Sequence, residues 1–185
     1  TQTNSIINWQ DFSIGVGQSL NFNTAAGALL NRVTSDKVSE LLGTMTQTGV
    51  NPLFVVNPNG IHIGGDAVLD VNALTLSTLG IVTKNDTETL IREGALGARA
   101  ITVDQGAQFD IARKLSLFGG QVNVADGVVF NLNDVPNPQE SMLEVIAAKE
   151  LYWQQGSDHD SDLSKWTMER GNTVDFHGTV NALST

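Results

Sequence analysis

Asn57-Pro58-Asn59-Gly60-Ile61 separates two short runs of strand-forming residues, Pro52-Leu53-Phe54-Val55-Val56 and Ile61-His62-Ile63. The ring of Pro58 pre-sets φ for the second position of a β-turn. Asn59 tolerates the third position, and Gly60 takes the fourth without steric cost. The stretch therefore predicts strand, tight turn, strand. Outward from it, alternation of apolar and polar residues dominates the chain. Ile7, Trp9, Phe12 and Ile14 come first, then Leu20 and Phe22, then Leu29, Leu30 and Val33. On the other side, Leu69, Val71, Ala73 and Thr75 share one face, while Val68, Leu74 and Leu76 fall out of phase. Such a slip marks a chain turning from one sheet to the next.

Two later units resemble each other. Ile101-Thr102-Val103-Asp104-Gln105-Gly106-Ala107-Gln108-Phe109-Asp110-Ile111 and Val122-Asn123-Val124-Ala125-Asp126-Gly127-Val128-Val129-Phe130 both read apolar-polar-apolar, then Asp, then Gly, then a second apolar pair. They begin roughly 20 residues apart, a period typical of solenoids and β-helices. Repeated coils would each give one strand to each of several parallel sheets, about 4.8 Å from the next coil. A stack of that kind has open ends and needs a cap. Trp9 and Phe12 are the candidates at the N-terminal end. Domain boundaries follow: one domain over 1–185, with a cap at about 1–34, a solenoid at about 50–131 and extra-helical loops and strands at about 131–185.

Several segments interrupt the pattern. Residues 35–45 put Val38, Leu41 and Leu42 on one helical face behind Ser35 or Asp36 as cap, which predicts a short helix. Residues 85–93, with Asp86 as cap, read as a turn or a second helix. Asn131 to Gln139 reads as a loop leaving the solenoid, and residues 154–165 as polar and exposed. Strand resumes at 142–147 and again, as one alternating run, at 173–180.

Composition narrows the function. The 185 residues suffice for one domain with a continuous core. Only 6% are aromatic and 16% charged, which suits short strands and turns better than a helical bundle. A net charge of −10 argues against nucleic acid and anionic membrane surfaces, since both need a basic face. It keeps the chain soluble and self-repelling, and a monomer is expected. Cys is absent, which fits either chance or an exported chain that must thread a narrow channel. No run approaches the roughly 20 apolar residues of a membrane span. The opening Thr1-Gln2-Thr3-Asn4 carries no signal peptide and reads as the start of a mature or trimmed chain.

Few residues carry chemistry. Asp158-His159-Asp160-Ser161-Asp162 resembles the start of a calcium loop, but the Gly and terminal Glu of an EF-hand are missing. His62 and His177 lie far apart, with no Cys to complete a zinc site. No metal or cofactor is expected. A polysaccharide-active enzyme would need paired carboxylates. Asp104, Asp110 and Asp126 are the solenoid candidates, yet Asp104 and Asp126 stand near Gly where Asp serves turns. No catalytic residue is assigned. Trp153 and Trp166 flank a polar loop and would either stack a sugar or pin that loop.

One ordered set of motifs goes further. Ile7-Asn8-Trp9, Phe12, Ile14-Gly15, Leu20-Asn21-Phe22, Leu30-Asn31-Arg32-Val33-Thr34, Leu42-Gly43, Val56-Asn57-Pro58-Asn59-Gly60-Ile61 and Ser77-Thr78-Leu79 follow in one sequence. The set resembles the N-terminal secretion domain of two-partner-secretion exoproteins, the filamentous haemagglutinin family, with the high-molecular-weight adhesin branch nearest. A second family motif, Asn-Pro-Asn-Leu, is replaced by Thr34-Ser35-Asp36-Lys37-Val38-Ser39-Glu40-Leu41, as in that branch. A further stretch that usually precedes Ile6 is largely missing. The resemblance implies an all-β, right-handed parallel β-helix with an N-terminal cap and extra-helical strands. It implies a secretion and targeting role on the way to the surface of a Gram-negative-type bacterium, by way of the periplasm, with direct adhesion to host glycan or protein ranked below it because in the family that work usually belongs to downstream repeats. The implied partner is a TpsB/Omp85-type outer-membrane transporter with periplasmic POTRA domains, and the cargo is the downstream adhesin repeats of the same chain. Asn57, Pro58, Asn59, Gly60, Ile61, Asn31 and Arg32 are then the candidate recognition residues.

Overall fold

A computed structural model defines residues 4–84, 88–92, 99–133, 142–155, 161–167 and 171–182. Among the described residues there are strands and turns but no helix. The first coils lay down β1 (Ser5–Trp9), β2 (Ser19–Asn23), β3 (Leu29–Val33), β4 (Ser39–Leu41), β5 (Thr44–Thr48), β6 (Leu53–Val56) and β7 (Ile61–Ile63). The long β8 (Val68–Ser77) follows, and then the chain leaves the winding as β9 (Gly80–Lys84) and β10 (Glu88–Arg92). It re-enters with β11 (Ala100–Val103), β12 (Gln108–Gly119), β13 (Gln121–Val124), β14 (Val129–Leu132) and β15 (Met142–Ala147). A second excursion, β16 (Glu150–Gln155) and β17 (Ser161–Thr167), precedes the last coil strands β18 (Thr173–Phe176) and β19 (Thr179–Ala182).

These strands make three parallel faces. The first runs β2-β5-β8-β12-β14-β19 and the second β1-β3-β6-β8-β12-β15. The third runs β4-β7-β11-β13-β18. The fold is a right-handed parallel β-helix, the hand that parallel crossovers take almost without exception. The two excursions pair with each other, through β10 and β16, in a separate antiparallel sheet.

Side-chain bonds between rungs show the period. Asn131 reaches Asp110 across 21 residues, while Asn181 reaches Asn131 across 50 because an excursion intervenes. The two similar sequence units are adjacent coils: Ile101 opposes Val122, and Phe109 opposes Phe130. Inside, columns such as Ile61-Ile101-Val122 and Leu53-Leu74-Leu115 are fully buried. Each such side chain contributes about 1.5–3 kcal/mol by leaving water. The phase slip in β8 is a corner: Leu69 and Val71 are buried, then Leu74 and Leu76, and the pairing with β12 shifts at the same place.

Four expectations fail. Residues 35–45 form no helix. Ser39 and Leu41 point inward on β4, and backbone groups there pair across coils, with Ser39 N–H donating to Gly60 O and Leu42 N–H to Ile14 O. Long-range pairing overrides a helical spacing that only three apolar residues supported. Within residues 85–93, Glu88–Arg92 is the strand β10 rather than a turn or helix. Asn131 and Leu132 belong to β14, not to the exit loop, and residues 134–139 lie outside the described residues. The run at 173–180 is two strands, because His177 and Gly178 turn the chain from the third face to the first. Within the polar segment 154–165, Gln154 and Gln155 end β16, and Ser161 to Lys165 belong to β17. Ladder pairing includes β1 to β5.

Candidate functional site

The Asn57 turn sits at the corner where β6 leaves the second face and β7 enters the third. Gly60 N–H donates to Asn57 O at 3.1 Å and closes the predicted β-turn. Gly60 holds φ at +126°, a region where a Cβ is strained. The Asn57 side chain is wholly buried. Its Nδ2 donates to Lys37 O and to Ser39 Oγ, each at 2.9 Å. Its Oδ1 accepts from Asn59 N–H and Asn59 Nδ2, each at 3.0 Å. Asn59 Nδ2 also donates to Ser35 O at 2.7 Å. Two donors and two acceptor positions exhaust one amide. The turn is thereby fastened to residues 35–39 of the preceding coil.

The other candidates lie on the adjoining rung. In the β3–β6 ladder Asn31 opposes Val55 and Arg32 opposes Val56, so the two motif pieces stack. Asn31 is also fully buried; it accepts from Trp9 Nε1 at 2.9 Å and donates to Phe54 O at 3.3 Å. Trp9 meets Phe12 edge-on at 5.5 Å, and Phe12 stacks on Phe22 at 6.0 Å. Ile61 is core and Pro58 half-buried. Arg32 is exposed, with its Nε donating to Asn8 Oδ1. Lys37 and Val38 are exposed beside it in sequence on the fastened loop. Lys37 pairs with Asp11 at 2.9 Å. That bond, and then one from Ser13, hold the Asp11 carboxyl below its ordinary range.

Sequence reading missed Ser35 and Ser39, hidden in the supposed helix. It also missed the contact of His62 with Glu40 and Asp104. The available signal was the coil period: Glu40 lies 22 residues before His62 and Asp104 42 after it.

The remaining candidates are scattered. Asp110 accepts from Asn131 Nδ2 at 2.8 Å, and Asp126 from the Gly127 N–H at 2.9 Å. Neither they nor Asp104 lines the shallow concavity at Ser13, Gln18 and Leu20 or the one at Val38, His62 and Arg99. His177 pairs with Asp175 at 2.8 Å. No trio of His, Asp or Glu among the described residues is placed to hold a metal. Trp153 lies on β16 and Trp166 on β17. Asp158, His159 and Asp160 lie outside the described residues, and Ser161 and Asp162 open β17.

A family model described as the TPS secretion domain matches residues 1–183, nearly the entire chain. The chain belongs to the TPS secretion domain family. This TPS domain is 30% identical over 117 residues to filamentous hemagglutinin of Bordetella pertussis (strain Tohama I), a match covering 58% of the chain and 3% of that protein. The chain thus spans only a small part of that relative's length. Its structure is similar to the HMW1 secretion domain from Haemophilus influenzae, with a TM-score of 0.77 at 24% identity over 95% of this chain and 45% of that one. The fold likeness and the family assignment agree. The domain serves secretion and targeting in two-partner secretion, a route that carries exoproteins to the cell surface or beyond in Gram-negative bacteria. The family is one of secretion domains.

Proposed function

We propose that this domain is the export address of a large surface adhesin or haemagglutinin. It passes through the periplasm and is read there by the POTRA domains of a cognate TpsB/Omp85-type transporter. The observation that supports this reading is the complete internal use of the Asn57 amide, which shapes its surroundings without facing outward. On this reading the Asn57 turn and Asn31 act by holding a shape. The exposed neighbours Arg32, Lys37 and Val38 are what the transporter touches. Trp9 and Phe12 cap the first coil, and the 185 residues act as one monomeric domain. Among the described residues β18 pairs only with β13 and β19 only with β14, and on this reading their other edges seat the next coil of the adhesin repeats. Coil-to-coil pairing is non-local and slow to form, so the chain stays extended during passage and stacks outward once it emerges.

The test is co-purification with the periplasmic part of a candidate transporter, alongside secretion in cells. Replacing Arg32 and Val38 together by Asp should abolish capture and leave the unfolding midpoint near wild type. Capture at wild-type strength by that double variant would overturn the assignment of the contact surface. Failure of the intact domain to be captured or secreted would overturn the address itself.

A further inference from the structure

On the outer side of the third face, beside the Asn57 turn, one imidazole bridges three coils. His62 stands on β7, between β4 and β11. Glu40 opposes it directly on β4, with Oε2 2.5 Å from His62 Nδ1. Asp104 follows the end of β11, with Oδ2 2.9 Å from His62 Nε2. Both ring nitrogens therefore face carboxylate oxygens, which only accept hydrogen bonds when ionised. A neutral imidazole has one N–H and one lone pair. It satisfies one of these carboxylates and repels the other, whereas an imidazolium satisfies both. Two opposite charges on either side of one cation also give a charge-assisted arrangement stronger than either pair alone.

We propose that His62 is a proton-dependent clip: doubly protonated, it fastens Glu40, β7 and Asp104 together across three coils, and on losing a proton it releases one of them. The other groups around the ring leave this logic intact. Thr102 is its uncharged register partner on β11. Arg99, ahead of β11, borders the same shallow groove together with Val38 and Gln121. Lys37 is held by Asp11. Partial burial pulls the His62 pKa down, but the bonds to Asp104 and then Glu40 outweigh it, and the net direction is up from 6.5. The sign follows from linkage. A group whose folded pKa is raised stabilises the fold fully below its unfolded value, and that contribution is lost as pH rises through the folded value. The loss begins above 6.5 and removes a tie next to the Asn57 corner. The outer face there is therefore firmer in mildly acidic medium than in alkaline medium. The clip follows from the fold alone and stands or falls independently of the transporter.

Two measurements on the purified chain test it. Imidazole ¹⁵N shifts of His62 should report both nitrogens protonated at pH 6.5, with a titration midpoint above 6.5 that drops in E40Q and drops again in E40Q/D104N. Thermal midpoints between pH 6 and 9 should fall more steeply for the wild type than for H62Q, the difference amounting to about 2 °C or more. A His62 midpoint at or below 6.5, or parallel pH profiles for wild type and H62Q, would overturn the clip. The wild-type titration needs no variant to fold, so the first measurement decides even if H62Q does not.

Discussion

From β1 to β7 the fully buried amides of Asn31 and Asn57 tie one coil to the next; from β12 to β18 a continuous stack of three phenylalanine rings runs through the core. In the first region Asn31 links Trp9 to Phe54, and Asn57 with Asn59 links one corner to Ser35, Lys37 and Ser39. In the second, Phe109 stacks on Phe130 at 4.5 Å, and Phe130 on Phe176 at 5.4 Å. Hydrogen bonds are directional and leave an unsatisfied group when one partner is changed. Ring stacking asks mainly for volume and flatness. The amide region thus specifies one geometry, and it is also the region that carries the ordered motifs. The ring region tolerates interruption, since Phe176 joins the stack although β15, β16 and β17 intervene between it and Phe130.

The largest expected effect comes from the ring region. Phe130 is fully buried between two rings, and Phe130→Ala leaves a cavity that the rigid ladder cannot collapse. The loss should be about 3–5 kcal/mol in urea unfolding. Phe130→Leu keeps most of the volume and should cost about 1.5 kcal/mol or less. If the two variants were equally damaging, volume would not be what the stack requires, and the contrast between the regions would weaken.

The amide region should behave in the opposite way. Asn57→Ala leaves the Ser39 hydroxyl, the Lys37 carbonyl and the Asn59 donors short of a partner, at about 2–4 kcal/mol. Asn57→Leu restores volume but none of the bonds, so it should be no better than Ala. Secretion should fall with stability in both. A Leu variant as stable as wild type would show that the corner needs filling rather than hydrogen bonding.

Most of the winding was legible because its cause is local. The Pro58-Asn59-Gly60 turn, the β8 phase slip and the repeat unit at Ile101 and Val122 each follow from side-chain alternation and turn chemistry. Residues 35–45 were misread because their strand identity depends on partners at Ile14 and Gly60, remote in sequence. The burial of Asn57 was equally hidden. An Asn in a turn bonds its own backbone in solution just as readily, and only the neighbouring coil supplies Lys37 O and Ser39 Oγ. The partners of His62 were hidden for the same reason, since Glu40 and Asp104 become its neighbours only once the coil lengths on both sides are known.

A smaller effect probes where the two regions meet. Along the first face, Asn21, Thr46, Asp70, Asp110, Asn131 and Asn181 stand in register on successive strands. Bonds join Asn21 to Thr46, Asn131 to Asp110 and Asn181 to Asn131. At the centre, Asp70 opposes Asp110, and like charges directly opposed on neighbouring strands are destabilising. Asp70→Asn removes the repulsion and offers a donor to Asp110, extending the ladder by one step. The gain should be about 0.2–1 kcal/mol in urea unfolding. It should shrink in 1 M salt, where charges more than about 3 Å apart are screened. A midpoint that stayed fixed or fell in Asp70→Asn would mean that the two carboxylates already turn away from each other, and that the outer ladder ends at Asp110.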